Sequence, residues 1–176
     1  WSRIEPKPKK WDHEAIDRYR AILTAMKASG IQPMVTLHHF TTPLWAAEKG
    51  GWLNPEMVDW FKRFAARAVT ELCDLCSVWC TLNEPTVYAA QGYFSGVFPP
   101  GHSNINQYFE VTYNMLLAHA AAYTAIKGIQ PASQVGFAHH MVYWQPRNVL
   151  NPLDSRIARL LDTMFNGLFL DSIQTG

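Results

Sequence analysis

The chain has 176 residues, of which 48% are hydrophobic and 16% are charged, a composition typical of a folded globular domain. Its 15 basic and 14 acidic residues give a net charge of +1, so composition provides no electrostatic basis for binding nucleic acid or an anionic membrane. No apolar stretch reaches the roughly 20 residues that a membrane-spanning helix needs.

A helix and a buried strand are the first complete elements that the sequence predicts, after the end of a strand at WSRI (residues 1–4). Apolar residues recur at helical spacing after Asp12, which is a suitable N-cap, and Gly30 is a suitable glycine beyond the last turn. The apolar run from Ile31 to Leu37 is too short for a helix and is apolar on both faces, as buried parallel strands are.

The alternation of helix and strand continues along the rest of the chain. A second helix is predicted to begin with Asn54 as N-cap and Pro55 in the first turn. Further strand, helix, strand and helix patterns follow at residues 77–82, 107–127, 134–144 and 154–165. The aromatic, Gly- and Pro-bearing stretch 91–107 is predicted as one long loop that forms a wall over a site.

This order predicts an α/β fold with a parallel sheet, for which a doubly wound sheet and part of a (β/α)8 barrel are both candidates. No predicted strand end carries the Gly-rich phosphate turn of a doubly wound nucleotide-binding fold. Polar residues instead follow the strands, namely Glu5, His38, His39, Asn83, Glu84, His139 and His140. Because barrels build active sites at the C-terminal ends of their strands, the pattern favours a barrel.

Three cysteines, Cys73, Cys76 and Cys80, are spaced C-x2-C-x3-C. A zinc site is disfavoured because no second Cys or His pair follows at the spacing of a finger or ribbon. A redox pair is disfavoured because the surroundings of a thioredoxin-type site are missing. We therefore expect thiols that pack at a helix end and in a strand. Their odd number favours a reducing compartment, and we expect the cytoplasm.

The segment TLNEP, residues 81–85, carries the strongest chemical signal. Glu84 at the end of a buried strand is a candidate general acid/base, since partial burial raises a carboxyl pKa towards neutrality. Asn83 can donate its amide N–H to a substrate hydroxyl. Pro85 is predicted to hold Glu84 in an extended backbone. The tripeptide Asn-Glu-Pro is equally compatible with the capped start of a helix.

The histidine pairs His38-His39 and His139-His140 raise a metal-site alternative, in which two histidines and Glu84 bind an ion. Neighbouring residues on a strand face opposite sides, so one histidine of each pair at most points into the mouth of a barrel. No aspartate lies beside the pairs to orient them. The sequence therefore favours a histidine that hydrogen-bonds a sugar hydroxyl or a core carbonyl, with no metal.

Several segments together resemble the family 1 glycoside hydrolases, the β-glucosidase and β-galactosidase family, over essentially the whole length. The matching segments are WSRIEP, GIQPMVTLHHFTTPLW, GGWLNPEMVDWFKRFA, VWCTLNEP, GYFSGVFPPG, LLAHAAAY and FNGLFLD. The resemblance implies a retaining β-glycosidase on a (β/α)8 TIM barrel, with a small-molecule β-glycoside as substrate and no cofactor. Residues 1–176 would form part of one such domain, from the end of strand two through helix five, about half of the barrel.

The resemblance also implies roles for individual residues. Glu84 is similar to the acid/base of the family, and Asn83 to its ligand for the sugar 2-hydroxyl. His39 falls at the position of the histidine that binds the glycone. Phe40 replaces the commoner Trp that follows this histidine, and it can stack on a sugar but offers no indole N–H.

On the aglycone side, Thr86 stands where many members have Trp, and His140 lies near a strand-five position that often carries Asn. The nucleophile motif of the family, Thr-Glu-Asn-Gly, occurs nowhere in residues 1–176. Retaining hydrolysis needs two carboxylates about 5–5.5 Å apart, so this chain would carry the acid/base half of the site and be inactive alone. A non-catalytic carbohydrate-binding relative and a 6-phospho-β-glycosidase remain alternatives.

A half barrel leaves two open sheet edges and unpaired interior residues. We therefore expect the isolated chain to associate with the remainder of the barrel or with itself.

Overall fold

Three parallel strands in the order β1-β2-β3 form the sheet that positions the site. A computed structural model describes residues 1–175, and in it the strands span Met34–His38 (β1), Val78–Asn83 (β2) and Gln134–Ala138 (β3). Helices lie between consecutive strands, so the predicted alternation of helix and parallel strand is confirmed.

The chain divides into two compact units, and the sheet belongs to the first, Trp1–Ala138. The second unit begins at His139 and contains helices α6 (Pro152–Asp162) and α7 (Leu168–Thr175), which a π-helical turn, Thr163–Gly167, joins. The assignment of residues 1–176 to one barrel domain stays a prediction.

Helix α1 spans His13–Ala28 and begins as its sequence predicts. The Asp12 carboxylate accepts a hydrogen bond from the backbone N–H of Ala15 at 3.0 Å, which satisfies one of the free donors of the first turn. Gly30 follows the helix with a φ of 74°, a conformation that glycine adopts without steric cost. The predicted cap and the predicted end are both confirmed.

Helix α3 spans Met57–Leu72 and buries one apolar face, largely against helix α5 (Ile105–Ile129). The prediction that Asn54 is its N-cap is wrong, because the helix starts two residues beyond Pro55. The Asn54 side chain instead accepts the backbone N–H of Glu56 at 2.9 Å and so closes a turn that precedes the helix. This local bond competes with helix capping, as Asn side chains commonly do.

Helix α5, Ile105–Ile129, begins two residues before its predicted start, with Asn104 as N-cap. The five residues of the predicted apolar stripe are all buried: Val111, Met115, Ala118, Ala122 and Ile126. α5 has 25 residues, yet neither it nor another helix within residues 1–175 is long and apolar enough to cross a membrane.

The remaining predicted boundaries need correction. Residues 2–4 form a turn rather than the end of a strand. β3 ends at Ala138, well before the predicted end at residue 144. The helix predicted at residues 154–165 is α6, which starts at Pro152, two residues earlier than predicted.

Four short helical segments lie where the apolar pattern predicts no complete helix, although a helix start was one of the two alternatives at Asn-Glu-Pro. They are α2 (Leu44–Ala47), a 3₁₀ turn (Gly51–Leu53), α4 (Pro85–Ala89) and a π-helical turn (Ala90–Phe94). Segments of three to five residues are too short to show a helical period, so the sequence pattern could not reveal them.

Residues 1–10 are held by Glu5, whose side chain is fully buried. Its carboxylate accepts the indole N–H of Trp1 at 2.9 Å and the backbone N–H of Lys9 at 2.8 Å. Arg63 on α3 pairs with the same carboxylate at 2.6 Å, and Trp45 donates to the Glu5 carbonyl at 2.9 Å. The prediction that Glu5 lies at the mouth of a strand is therefore wrong. Its carboxylate forms a buried ion pair that joins residues 1–10 to α3.

Candidate active site

The carboxyl ends of the three strands bring the predicted catalytic residues to one edge of the sheet. His38 of β1 pairs in register with Leu82 of β2, so His39 and Asn83 follow on adjacent backbones, roughly 4.8 Å apart by strand spacing. The backbone N–H of Glu84 donates to the carbonyl of Ala138 on β3 at 2.8 Å. One edge thus gathers an imidazole, an amide and a carboxyl side chain.

The backbone of Glu84 is left-handed, with φ 44° and ψ 58°. The prediction of an extended backbone before Pro85 is therefore wrong. β2 ends at Asn83 and α4 begins at Pro85, so a single residue must turn the chain from strand into helix. A non-glycine residue pays about 1–2 kcal/mol for this conformation. The alternative reading, a helix start, is right for the backbone, but the Glu84 side chain makes no capping hydrogen bond.

Phe40 has the same kind of backbone, with φ 65°, directly after β1. Among residues 1–175, the non-glycine residues with positive φ are Lys9, Phe40 and Glu84, and the last two lie at this edge. The Phe40 ring stacks on Tyr88 at 6.1 Å and meets the ring of His39 edge-on at 5.2 Å. Strained backbone that packing holds in place is characteristic of functional sites.

His38, the last residue of β1, and His39, which follows it, have opposite surroundings, as strand alternation predicts. His39 is exposed. His38 is 1% exposed, and its Nε2 accepts the indole N–H of Trp52 at 3.3 Å. Burial lowers the pKa of His38 to about 3, so the ring is neutral with its proton on Nδ1, which has no hydrogen-bond partner. His39 is thus the histidine of the pair that a ligand can reach.

An open cavity of about 670 Å³ lies beside Phe40, between the segment that follows β1 and the segment that follows α4. Tyr88, Tyr93 and Phe98 line it together with Phe40. Burial raises the pKa of the Tyr88 and Tyr93 hydroxyls, which keeps both phenols neutral. The volume and the aromatic lining are those of a small-molecule site.

The two residues predicted on the aglycone side occupy less direct positions. Thr86 is fully buried in α4, and its hydroxyl has no hydrogen-bond partner. His140 belongs to the second unit, beyond the end of β3, and its exposed ring meets Phe165 edge-on at 5.9 Å. Their assignment to an aglycone site stays a prediction.

The cysteines are free thiols, as the sequence predicts. Cys80 lies in β2, Cys73 directly follows α3, and burial raises the pKa of the Cys76 and Cys80 thiols. Within residues 1–175 no three His, Cys, Asp or Glu side chains are grouped to bind a metal ion.

Sequence reasoning missed two residues that support this edge, Thr81 and His119. The Thr81 hydroxyl lies 2.7 Å from Nδ1 of His119 on α5 and donates to the carbonyl of Gly136 on β3 at 3.1 Å. A histidine on the otherwise apolar face of α5, in LLAHAAAY, was the available signal for a buried polar partner.

Comparison with known proteins identifies the family. A sequence model described as Glycosyl hydrolase family 1 matches residues 1–176, and the chain therefore belongs to glycosyl hydrolase family 1. A 6-phospho-beta-galactosidase of Lacticaseibacillus casei (strain BL23) is 35% identical, with 100% of this chain and 37% of the relative covered. Beta-glucosidase A of Thermotoga maritima is 32% identical, with 100% and 40% covered.

Solved structures agree with the sequence relatives. A beta-glycosidase from Pyrococcus horikoshii superimposes with a TM-score of 0.92 at 35% identity, covering 98% of this chain and 40% of that one. Beta-glucosidase from Thermotoga maritima in complex with galacto-hydroximolactam gives a TM-score of 0.95 at 31% identity, covering 100% and 40%. The chain thus has the fold of part of a (β/α)8 barrel and spans about 40% of the length of these relatives.

Proposed function

We propose that the full-length protein to which this chain belongs is a retaining β-glycosidase that hydrolyses β-D-glucosides or related β-glycosides by double displacement. This chain supplies the acid/base half of the site. The observation that carries the proposal is the position of Glu84, in a left-handed turn between β2 and α4, beside Asn83 and His39 at the carboxyl edge of the sheet. Membership of glycosyl hydrolase family 1 supports it.

In the first step, Glu84 donates its proton to the departing aglycone oxygen while a second carboxylate, outside this chain, attacks the anomeric carbon. In the second step, Glu84 as a carboxylate takes a proton from the water that releases the sugar. The Asn83 amide donates to the sugar 2-hydroxyl, His39 hydrogen-bonds the glycone, and Phe40 packs against it. The reaction needs no metal ion or organic cofactor.

Substitution of Glu84→Gln in the full-length protein tests this role. Glycosides with poor leaving groups should lose about 100-fold or more in kcat/KM because they depend on acid assistance, whereas 2,4-dinitrophenyl glycosides should lose much less. Azide should restore the second step by replacing the activated water. The exposed Glu48→Gln is the matched control. Equal losses on both substrates without azide rescue would refute the acid/base role of Glu84.

A 6-phospho-β-glycosidase is the second candidate. Three curated relatives named 6-phospho-beta-galactosidase are 35%, 34% and 33% identical to the chain over its full length, and relatives named Beta-glucosidase A are 29% and 32% identical. Comparing kcat/KM for 4-nitrophenyl β-D-galactoside and its 6-phosphate separates the candidates. A preference of about 100-fold for the phosphate would favour this reading. Binding without turnover of either would favour a non-catalytic carbohydrate-binding protein.

A further inference from the structure

Thr81 and His119 meet at an irregularity in the sheet, three residues before Glu84. Cys80 of β2 pairs with Gly136 of β3, and the next pair is Asn83 with Ala138. Three steps along β2 therefore oppose two steps along β3, which is a β-bulge. A bulge turns the residues that follow it, and here those residues are Asn83 and Glu84.

At this bulge, a side-chain hydrogen bond joins β2 to β3. The Thr81 hydroxyl donates to the Gly136 carbonyl at 3.1 Å, so a side chain occupies the place of a strand N–H. A threonine hydroxyl has a single proton. With that proton directed at the Gly136 carbonyl, the matching tautomer of His119 carries its proton on Nδ1 and donates it to the Thr81 oxygen across the 2.7 Å contact.

His119 is itself fixed within the fold. It is 7% exposed on α5, and its ring packs edge-on against Phe137 of β3 at 5.2 Å. Burial lowers the pKa of His119, which favours the neutral ring with one N–H. The contacts thus run from the buried imidazole on α5 through the buried Thr81 hydroxyl to a partly buried carbonyl on β3.

We propose that Thr81 and His119 are a positioning pair, which fixes the β2 bulge and thereby aims Asn83 and Glu84 at the substrate. The inference rests on the proposed acid/base role of Glu84. Neither residue of the pair needs to touch the sugar. A displacement of the carboxyl by about 1 Å from its productive position can lower a rate by about 100-fold.

The test compares Thr81→Val with Thr81→Ser in the full-length protein. Valine keeps the shape and removes the hydroxyl, so kcat/KM for an alkyl glycoside should fall by about 100-fold. The fall for a 2,4-dinitrophenyl glycoside should be much smaller, because that leaving group departs without a well-placed acid. Serine should restore most of the loss. Thr112→Val is the matched control, since the buried Thr112 hydroxyl donates to the carbonyl of Tyr108 within α5.

His119 provides a second, independent variant pair. His119→Asn keeps an N–H donor near the Nδ1 position and should retain the leaving-group ratio of the parent protein, whereas His119→Leu should change it as Thr81→Val does. If circular dichroism shows that Thr81→Val does not fold, the comparison of His119→Asn with His119→Leu tests the positioning role instead. A ratio that stays unchanged in the folded variants that lack the bond, even with lowered thermal stability, would overturn the proposal.

Glu84→Gln is measured in the same series. If Glu84→Gln shows the selective loss on poor leaving groups and the Thr81 and His119 variants do not, the positioning role alone fails. If Glu84→Gln itself shows no selective loss, the proposed acid/base role of Glu84 is refuted, and the positioning proposal falls with it.

Discussion

His38 and His39 are neighbours in the sequence, yet only His38 is sealed inside the fold. Trp52, Phe61 and Tyr88 surround its ring edge-on, and burial lowers its pKa to about 3 from an ordinary value of 6.5. Such a histidine stays neutral in the folded protein and becomes protonated only when the chain unfolds.

The buried ring makes the free energy of unfolding depend on pH. Because the folded-state pKa lies below the unfolded value, the unfolded chain binds the extra proton between about pH 3 and 6.5. The stability is therefore complete above pH 6.5 and falls by about 1.4 kcal/mol per pH unit below it. Urea denaturation of the full-length protein at several pH values measures this slope.

His38→Gln should lower the slope by one proton, while the exposed His13→Gln should leave it unchanged. Burial also lowers the pKa values of His119 and His139. The free energy of unfolding of His38→Gln should therefore still depend on pH, but with a smaller slope. An identical slope in the parent protein and His38→Gln would show that this ring does not control the acid lability.

At the level of single residues, the sequence identified Asn83, Glu84 and His39 through motifs and strand-end positions, and the structure places them at one edge. The left-handed turn at Glu84 was hidden because pre-proline preference points to an extended backbone. The pairing of Thr81 with His119 was hidden because 38 residues separate the partners. Local patterns carry no information about contacts of that range.

Among the secondary-structure elements, α5 depends on a cap that lies in a segment predicted as loop. The Asn104 side chain accepts the backbone N–H of Asn106 at 2.9 Å and of Gln107 at 3.4 Å. These bonds satisfy two of the free donors of the first turn. α5 packs on α3, and its His119 contacts Thr81 of β2. The cap of α5 therefore supports a helix that contacts the strand carrying Asn83.

Asn104→Ala should reduce the free energy of unfolding by about 1 kcal/mol, because the first turn loses its cap. Asn104→Ser should retain most of that stability. Asn106→Ala is the control, since the exposed Asn106 contributes its backbone N–H and not its side chain to the cap. Equal stability of Asn104→Ala and the parent protein in thermal unfolding would speak against a capping role.

The long elements were predictable and the short ones were not. α1, α3 and α5 have 16, 16 and 25 residues, enough to display a helical period, and the three strands display apolar runs between turn signals. Boundaries shifted where a local side-chain bond prevailed, as at Asn54 before α3.

On the scale of the whole molecule, β1 and β3 are the two edges of the described sheet, since each pairs only with β2 within residues 1–175. Met34 on β1 is 67% exposed. Parallel strands of a barrel normally have neighbours on both sides, and open apolar edges pair with other chains.

The isolated chain should therefore self-associate, with a sedimentation coefficient that rises with concentration in analytical ultracentrifugation. Met34→Lys places a charge on the β1 edge and should weaken this association, whereas a lysine at the exposed Leu150 of the second unit should not. A monomer that unfolds in one sharp transition would contradict the expectation.

Glycine would adopt the backbone of residue 84 without steric cost. A library screened only for heat tolerance would therefore favour glycine at residue 84, which avoids a backbone cost of about 1–2 kcal/mol, and the carboxyl would be lost. Under the proposed acid/base role, screening for turnover would restore the carboxyl. Residue 84 is therefore a position where an engineer must choose between robustness and rate.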